Sequence, residues 1–121
     1  MFDAFQVAVK RIAVLLARAG IDELYGSAKG AAGSAERDEP KQLDVVANDV
    51  LQAALRRCGH ITAMASEEDD AVIVLDDRSG GRGPPGYVAV FDPLDGSRNI
   101  DASIPTGTIF GLYRSSGAAG A

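Results

Sequence analysis

Apolar residues recur at helical spacing early in the chain, at Phe5, Val9, Ile12, Leu16 and Ala19, while Lys10, Arg11 and Arg18 fall largely off that stripe. Steps of three and four place these side chains on one helical face, so the pattern predicts an amphipathic helix over 3–19 that Gly20 ends. A second stripe, Leu43, Ala47, Val50 and Ala54, predicts a helix over 42–57, begun after Pro40 and closed by Arg56, Arg57 and Gly59. The period then changes. The runs 61–66, 72–75, 87–92 and 107–113 are short, apolar and bounded by Gly, Pro or acidic residues, which is the signature of strands. Helices followed by strands predict an α+β layered fold, with both helices on one face of a mixed sheet.

Between these elements, 21–40 is rich in Gly, Ala and Ser and gathers charge at Glu36, Arg37, Asp38 and Glu39, so it reads as a long mobile loop. Residues 76–86 contain GGRGPPG and read as loop; 115–121 is a tail of small residues. Pro93 is expected to stop the ladder of the strand that delivers Asp92. The chain has 121 residues, 46% of them hydrophobic, which fits one globular domain rather than a disordered segment.

A net charge of −5 argues against nucleic acid as the main partner and suits a cation site. Cys58 is alone, so no internal disulfide forms and a reducing compartment is the natural reading. Charges at Asp3, Lys10, Arg11 and Arg18 interrupt the N-terminal apolar run, leaving no signal-peptide core or membrane span. His60 has no second His or Cys at ligand spacing and reads as a loop residue.

The chemistry centres on Asp92-Pro93-Leu94-Asp95. A tight turn there brings two carboxylates and a backbone carbonyl together, an all-oxygen set suited to a hard cation such as Mg²⁺. Gly96, Ser97, Arg98 and Asn99 follow, and a short helix starting there would point its first N–H groups at a phosphate. Asp-Pro-x-Asp-Gly is equally a good surface turn, so spacing alone leaves both readings open. The run Glu67, Glu68, Asp69 and Asp70 reads by itself as a solvated face. Asp44 lies in the first turn of the second helix, off its apolar stripe, where an acid favours the helix dipole. Asp38 and Glu39 are placed to cap the same helix.

Taken together, LDVVAND (43–49), ASEED (65–69), FDPLDGS (91–97), Asn99-Ile100-Asp101 and GTIFGLY (107–113) resemble the fructose-1,6-bisphosphatase family, within the wider Mg²⁺-dependent sugar and inositol phosphatases. The resemblance covers nearly the whole chain and corresponds to the N-terminal part of the family. It implies two or three Mg²⁺ ions, with Mn²⁺ or Zn²⁺ as substitutes, held by Glu67, Glu68, Asp92, the Leu94 carbonyl and Asp95, with Asp92 bridging. It implies that Glu68 and Asp44 activate the attacking water and that Asp38, on a loop closing over the metals, assists the leaving sugar oxygen. Asp95, Gly96, Ser97 and Arg98 would meet the 1-phosphate; Asp69 and Asp70 keep their solvated reading. Arg98 replaces a small hydroxyl residue, and whether it adds a phosphate contact or misplaces the amides stays open.

The implied reaction converts fructose 1,6-bisphosphate to fructose 6-phosphate and phosphate, in gluconeogenesis or the Calvin cycle, in the cytoplasm or, after removal of a transit peptide, the plastid stroma. A homo-oligomer is implied, a tetramer in the full-length family, with the AMP-inhibitor site mostly outside this stretch. The segments that recognise the 6-phosphate, and one further metal-binding glutamate, follow the matched part in the family. The expectation is therefore Mg²⁺ binding with little or no turnover by these residues alone. The rival readings are a non-catalytic metal-binding or oligomer-contact fragment, and a phosphatase for sedoheptulose 1,7-bisphosphate or inositol phosphates.

Overall fold

The computed structural model describes residues 1–18, 42–75 and 86–115; the loop expected over 21–40, with Asp38, and nearly all of the 76–86 loop and 115–121 tail lie outside the described residues. Helix α1 spans Phe2–Arg18 and α2 spans Gln42–Arg57. Four strands follow, β1 Ile61–Ser66, β2 Ile73–Val74, β3 Tyr87–Asp95 and β4 Gly107–Arg114, with a 3₁₀ helix, Ser97–Ala102, between the last two. The sheet order is β2-β1-β3-β4. β1 and β3 are parallel, whereas β2 and β4 pair antiparallel on the outside. This is the expected α+β arrangement, with a mixed sheet.

The helices are held to one face of the sheet chiefly by one large apolar cluster. Phe5 and Ala8 of α1, Leu51 and Leu55 of α2, Ile61 and Met64 of β1, and Ala89 and Phe91 of β3 are all buried together. Met64 pairs with Ala89 in the parallel ladder, so a large and a small side chain lie side by side beneath the helices. The Phe5 and Phe110 rings stack at 4.0 Å and 16°, tying α1 to β4. Burying Leu51, Leu55 and Met64 is worth about 1.5–3 kcal/mol each by transfer, which makes this cluster the main source of cohesion.

A second cluster sits toward the other end of the helices. Ile12 of α1, Leu43 and Ala47 of α2 and Leu94 of β3 pack together, with Leu15, Leu16, Val50 and Ile100 around them. It reaches out of the sheet core to grip the segment that carries Asp92 and Asp95.

Three local readings change. The buried face of α1 runs through Phe5, Ala8 and Ile12, while Val9 is exposed; α1 packs against α2. The strand expected over 72–75 is shorter, Ile73–Val74, and Val72 is exposed. Pro93 does not end β3: Asp92 pairs with Ile109 and Asp95 with Gly107, so β3 holds one more residue than β4 over this span. Pro93 is accommodated in that irregularity, where its missing N–H costs no ladder bond, and its carbonyl accepts from Thr108 Oγ1 at 2.9 Å. Gly59 does end α2 as expected, with a φ of 70° in the left-handed region.

Leu51→Ala, which hollows the main cluster without touching the acidic strand ends, is expected to destabilise the chain by about 2–5 kcal/mol. Urea denaturation followed by circular dichroism measures it; a loss under 1 kcal/mol would mean that the cluster is not the principal core.

Candidate metal centre

In the parallel ladder Ser66, the last residue of β1, stands opposite Phe91, the residue before Asp92 in β3. The pairing continues one step further, where the Glu67 N–H donates to the Phe91 carbonyl at 3.0 Å. Glu67 and Asp92 therefore stand side by side, the one just past the end of β1 and the other still within β3. One carboxylate oxygen each from Glu67, Glu68 and Asp92 lie within 4.8 Å of one another. Glu67 is exposed, and the other two are half-buried.

Asp92 is fixed by its own turn. The Leu94 N–H donates to Asp92 Oδ1 at 3.0 Å, an Asx turn, and the Leu94 side chain, 3% exposed, plugs the cluster of Ile12, Leu43 and Ala47. The plug anchors the backbone between Asp92 and Asp95. Asp95 is exposed, yet near enough for its charge to raise the Asp92 carboxyl. Gly96 has a φ of 82° and caps the 3₁₀ helix; Ser97 opens that helix half-buried, and Arg98 beside it is exposed. The left-handed backbone at position 96 suits glycine alone among common residues without strain.

Asp44, placed off the apolar stripe by sequence, is 4% exposed. The buried face of α2 is mixed: Leu43, Asp44, Ala47 and Asn48 in its first half, Leu51 and Leu55 in its second. The helix runs from the acidic strand ends to the apolar core, so one continuous face meets two environments. The Asp44 charge acts on both Glu68 and Asp92.

The crowding shows in the electrostatics. Glu68 is pushed up to about 7, first by burial, then by a hydrogen bond with the Glu67 side chain, then by the charges of Asp44, Glu67 and Asp92. Asp92 is also raised, first by burial; the bond from the Leu94 N–H opposes this, while Glu67, Asp95 and Asp44 add to it. Converging carboxylates that resist ionisation, and offer only oxygen, fit a hard divalent cation, which relieves the repulsion on binding.

Asp69 does not behave as the solvated acid expected of it. Its Oδ1 accepts from Asn48 Nδ2 at 3.1 Å and its Oδ2 from Gln52 Nε2 at 2.6 Å. Asn48 Oδ1 in turn accepts from Ser66 Oγ at 2.8 Å, and Ser66 Oγ accepts from the Glu68 N–H at 3.3 Å. Asn48, Gln52 and Ser66 carried no sequence expectation. The available signal was spacing, since Asp44, Asn48 and Gln52 stand four apart and so share one side of α2.

Residues 1–120 match the family described as fructose-1-6-bisphosphatase, N-terminal domain. The chain belongs to the fructose-1,6-bisphosphatase family. Over 113 residues it is 43% identical to the chloroplastic fructose-1,6-bisphosphatase of Spinacia oleracea and 44% identical to that of Brassica napus, covering 93% of this chain and 26% of each relative. Among solved structures it is similar to the Leishmania major fructose-1,6-bisphosphatase in holo form, at a TM-score of 0.80 and 36% identity, covering 96% of this chain and 33% of that one. The apo form of the same protein superposes at a TM-score of 0.68. The chain thus spans about a quarter of the length of these curated relatives.

Because the folded state raises the Glu68 carboxyl from 4.5 to about 7, it holds that proton more tightly than the unfolded chain does. The stability this contributes is complete below about 4.5 and is lost as pH rises through about 7; raised Asp92 acts in the same direction. Denaturation midpoints of the metal-free chain are expected to fall across that window, and Glu68→Gln to flatten the fall. Midpoints that climb steadily from pH 5 to 7.5 would contradict the crowding.

Proposed function

We propose that these residues form the metal-binding part of a phosphatase that hydrolyses the 1-phosphate of fructose 1,6-bisphosphate, giving fructose 6-phosphate and inorganic phosphate. The carrying observation is the convergence of Glu67, Glu68 and Asp92 within 4.8 Å, in a chain of this family. Glu67, Glu68, Asp92, the Leu94 carbonyl and Asp95 would hold two or three Mg²⁺ ions, or Mn²⁺ or Zn²⁺ in their place. The cations supply the positive charge that offsets charge developing on the transferring and leaving oxygens.

In this reading the Ser97 hydroxyl and the backbone N–H groups from Gly96 to Arg98 bind and orient the phosphate at the start of the 3₁₀ helix. A water attacks phosphorus as the bond to the sugar oxygen breaks. Glu68, with Asp44 behind it, takes the water's proton. Asp38 assists protonation of the leaving oxygen. Recognition of the distant 6-phosphate, which positions the reacting end, belongs to other segments of the family, so residues 1–121 alone bind Mg²⁺ but turn over slowly. The chloroplastic relatives support a plastid stromal place in the Calvin cycle, with cytoplasmic gluconeogenesis the alternative. The full-length assembly is a homo-oligomer, of four subunits as in the family.

Thermal unfolding against free Mg²⁺ tests the centre. The midpoint should rise with metal, with a stabilisation of about 2.7 kcal/mol at one hundred times the dissociation constant. Asp92→Ala should abolish the rise, and a variant that still responds would remove Asp92 from the centre. Phosphate release from fructose 1,6-bisphosphate should be slow and exceed that from sedoheptulose 1,7-bisphosphate and inositol phosphates; efficient Asp92-dependent turnover would refute the need for further segments.

A further inference from the structure

The turn that carries Glu67 and Glu68 is lashed to α2 from behind. Ser66 begins it and Asp69 ends it, and the Asp69 N–H donates to the Ser66 carbonyl at 3.3 Å. Asn48, 7% exposed, spans both ends: its Nδ2 donates to Asp69 Oδ1 at 3.1 Å and its Oδ1 accepts from Ser66 Oγ at 2.8 Å. Ser66 Oγ also accepts from the Glu68 N–H at 3.3 Å, so the ring reaches the backbone of a cluster residue. Gln52 Nε2 holds the outer oxygen of Asp69 at 2.6 Å.

A buried amide is costly unless both of its ends are paired, and an apolar residue would let α2 pack here with no such demand. What the amide adds is direction. Glu67, Glu68 and Asp92 repel one another, and a turn free to swing would relieve that by parting the carboxylates. Asn48 lies one helical turn beyond Asp44, so the same rigid helix carries an acid facing the cluster and the clamp on the turn that supplies two of its ligands.

We propose that Asn48 is a positioning residue of the metal centre, which with Ser66 and Asp69 fixes the Glu67–Glu68 turn against α2 and keeps its carboxylates converged on Asp92. The inference rests on the metal-binding reading and adds to it the residues that aim the ligands. Groups in this outer position are typically worth about 10–100-fold in metal affinity.

The test reads Mn²⁺ affinity by calorimetry, and amide hydrogen exchange at Glu68 in the metal-free chain. Asn48→Asp keeps the volume but turns an oxygen toward Asp69, breaking the ring. An added negative charge by itself would tighten cation binding, whereas the ring predicts that Mn²⁺ binding weakens by about 10–100-fold. Adding Asp69→Asn removes a charge and remakes the ring with donor and acceptor exchanged, so most of the lost affinity should return. Exchange at the Glu68 amide should quicken in the single variant and slow again in the pair. The proposal is overturned if Asn48→Asp binds Mn²⁺ as tightly as the unsubstituted chain, or if the pair binds no better than the single variant. Should Asn48→Asp fail to fold, Gln52→Ala, which removes the outer bond to Asp69 and an exposed 3.4 Å bond from Arg56, must weaken Mn²⁺ binding in the same direction, and no change overturns the proposal. If the unsubstituted chain binds no Mn²⁺, the metal-binding reading has failed; the hold on the turn is then judged by Glu68 exchange alone, and unaltered exchange in the variants overturns it.

Discussion

The parallel pairing of β1 with β3 is the constraint on which the rest depends. Ser66 opposite Phe91 sets the end of β1 level with Asp92 of β3, and parallel neighbours carry the acids that follow to the same edge of the sheet. A slip of one residue by either strand would turn its own member of the Met64–Ala89 pair out of the core and carry Glu67 away from Asp92. The register that buries the core thus also assembles the carboxylates. Stability of the apolar side and geometry of the acidic side have the same cause.

Those carboxylates work against the fold that gathers them. Burial and mutual repulsion raise Glu68 and Asp92, so the acidic edge favours opening whenever its groups are charged and no cation is bound. Two devices oppose it. Leu94 drives an apolar side chain between α1 and α2 and so pins the Asp92 turn, while Asn48, Ser66 and Asp69 pin the Glu67–Glu68 turn through hydrogen bonds. One strand end is held by hydrophobic burial, the other by a polar ring. A local cost tolerated at one edge and offset by packing elsewhere is the usual mark of a functional site.

Much of this was legible in the chain. The change from helical spacing to short apolar runs bounded by Gly, Pro and acids announces two helices and then strands. The FDPLDGS and ASEED runs marked the acidic stretches, and the family resemblance tied them to a metal. What escaped depended on three-dimensional neighbours. Asp69 looks like any acid in an acidic run until α2 brings Asn48 and Gln52 to it. Asp44 reads as off the buried stripe because period analysis assumes that a buried face is apolar, whereas the first half of α2 buries Asp44 and Asn48 beside the acidic strand ends. Pro93 looked like a strand stop, and it is absorbed because the two strands differ by one residue around it.

The central claim is that Glu67, Glu68 and Asp92 share one cation at adjoining strand ends. Adding substoichiometric Mn²⁺ to isotope-labelled chain and mapping paramagnetic broadening of the amide signals tests it most directly. The account predicts that the signals of residues 67, 68, 92 and 94–97 vanish first, with those of 44 and 48 next, while those at the N-terminal end of α1 and along β2 persist. Broadening spread evenly over exposed acids such as Asp3, Asp49 and Asp70, with the strand-end signals no more affected than the rest, would contradict it.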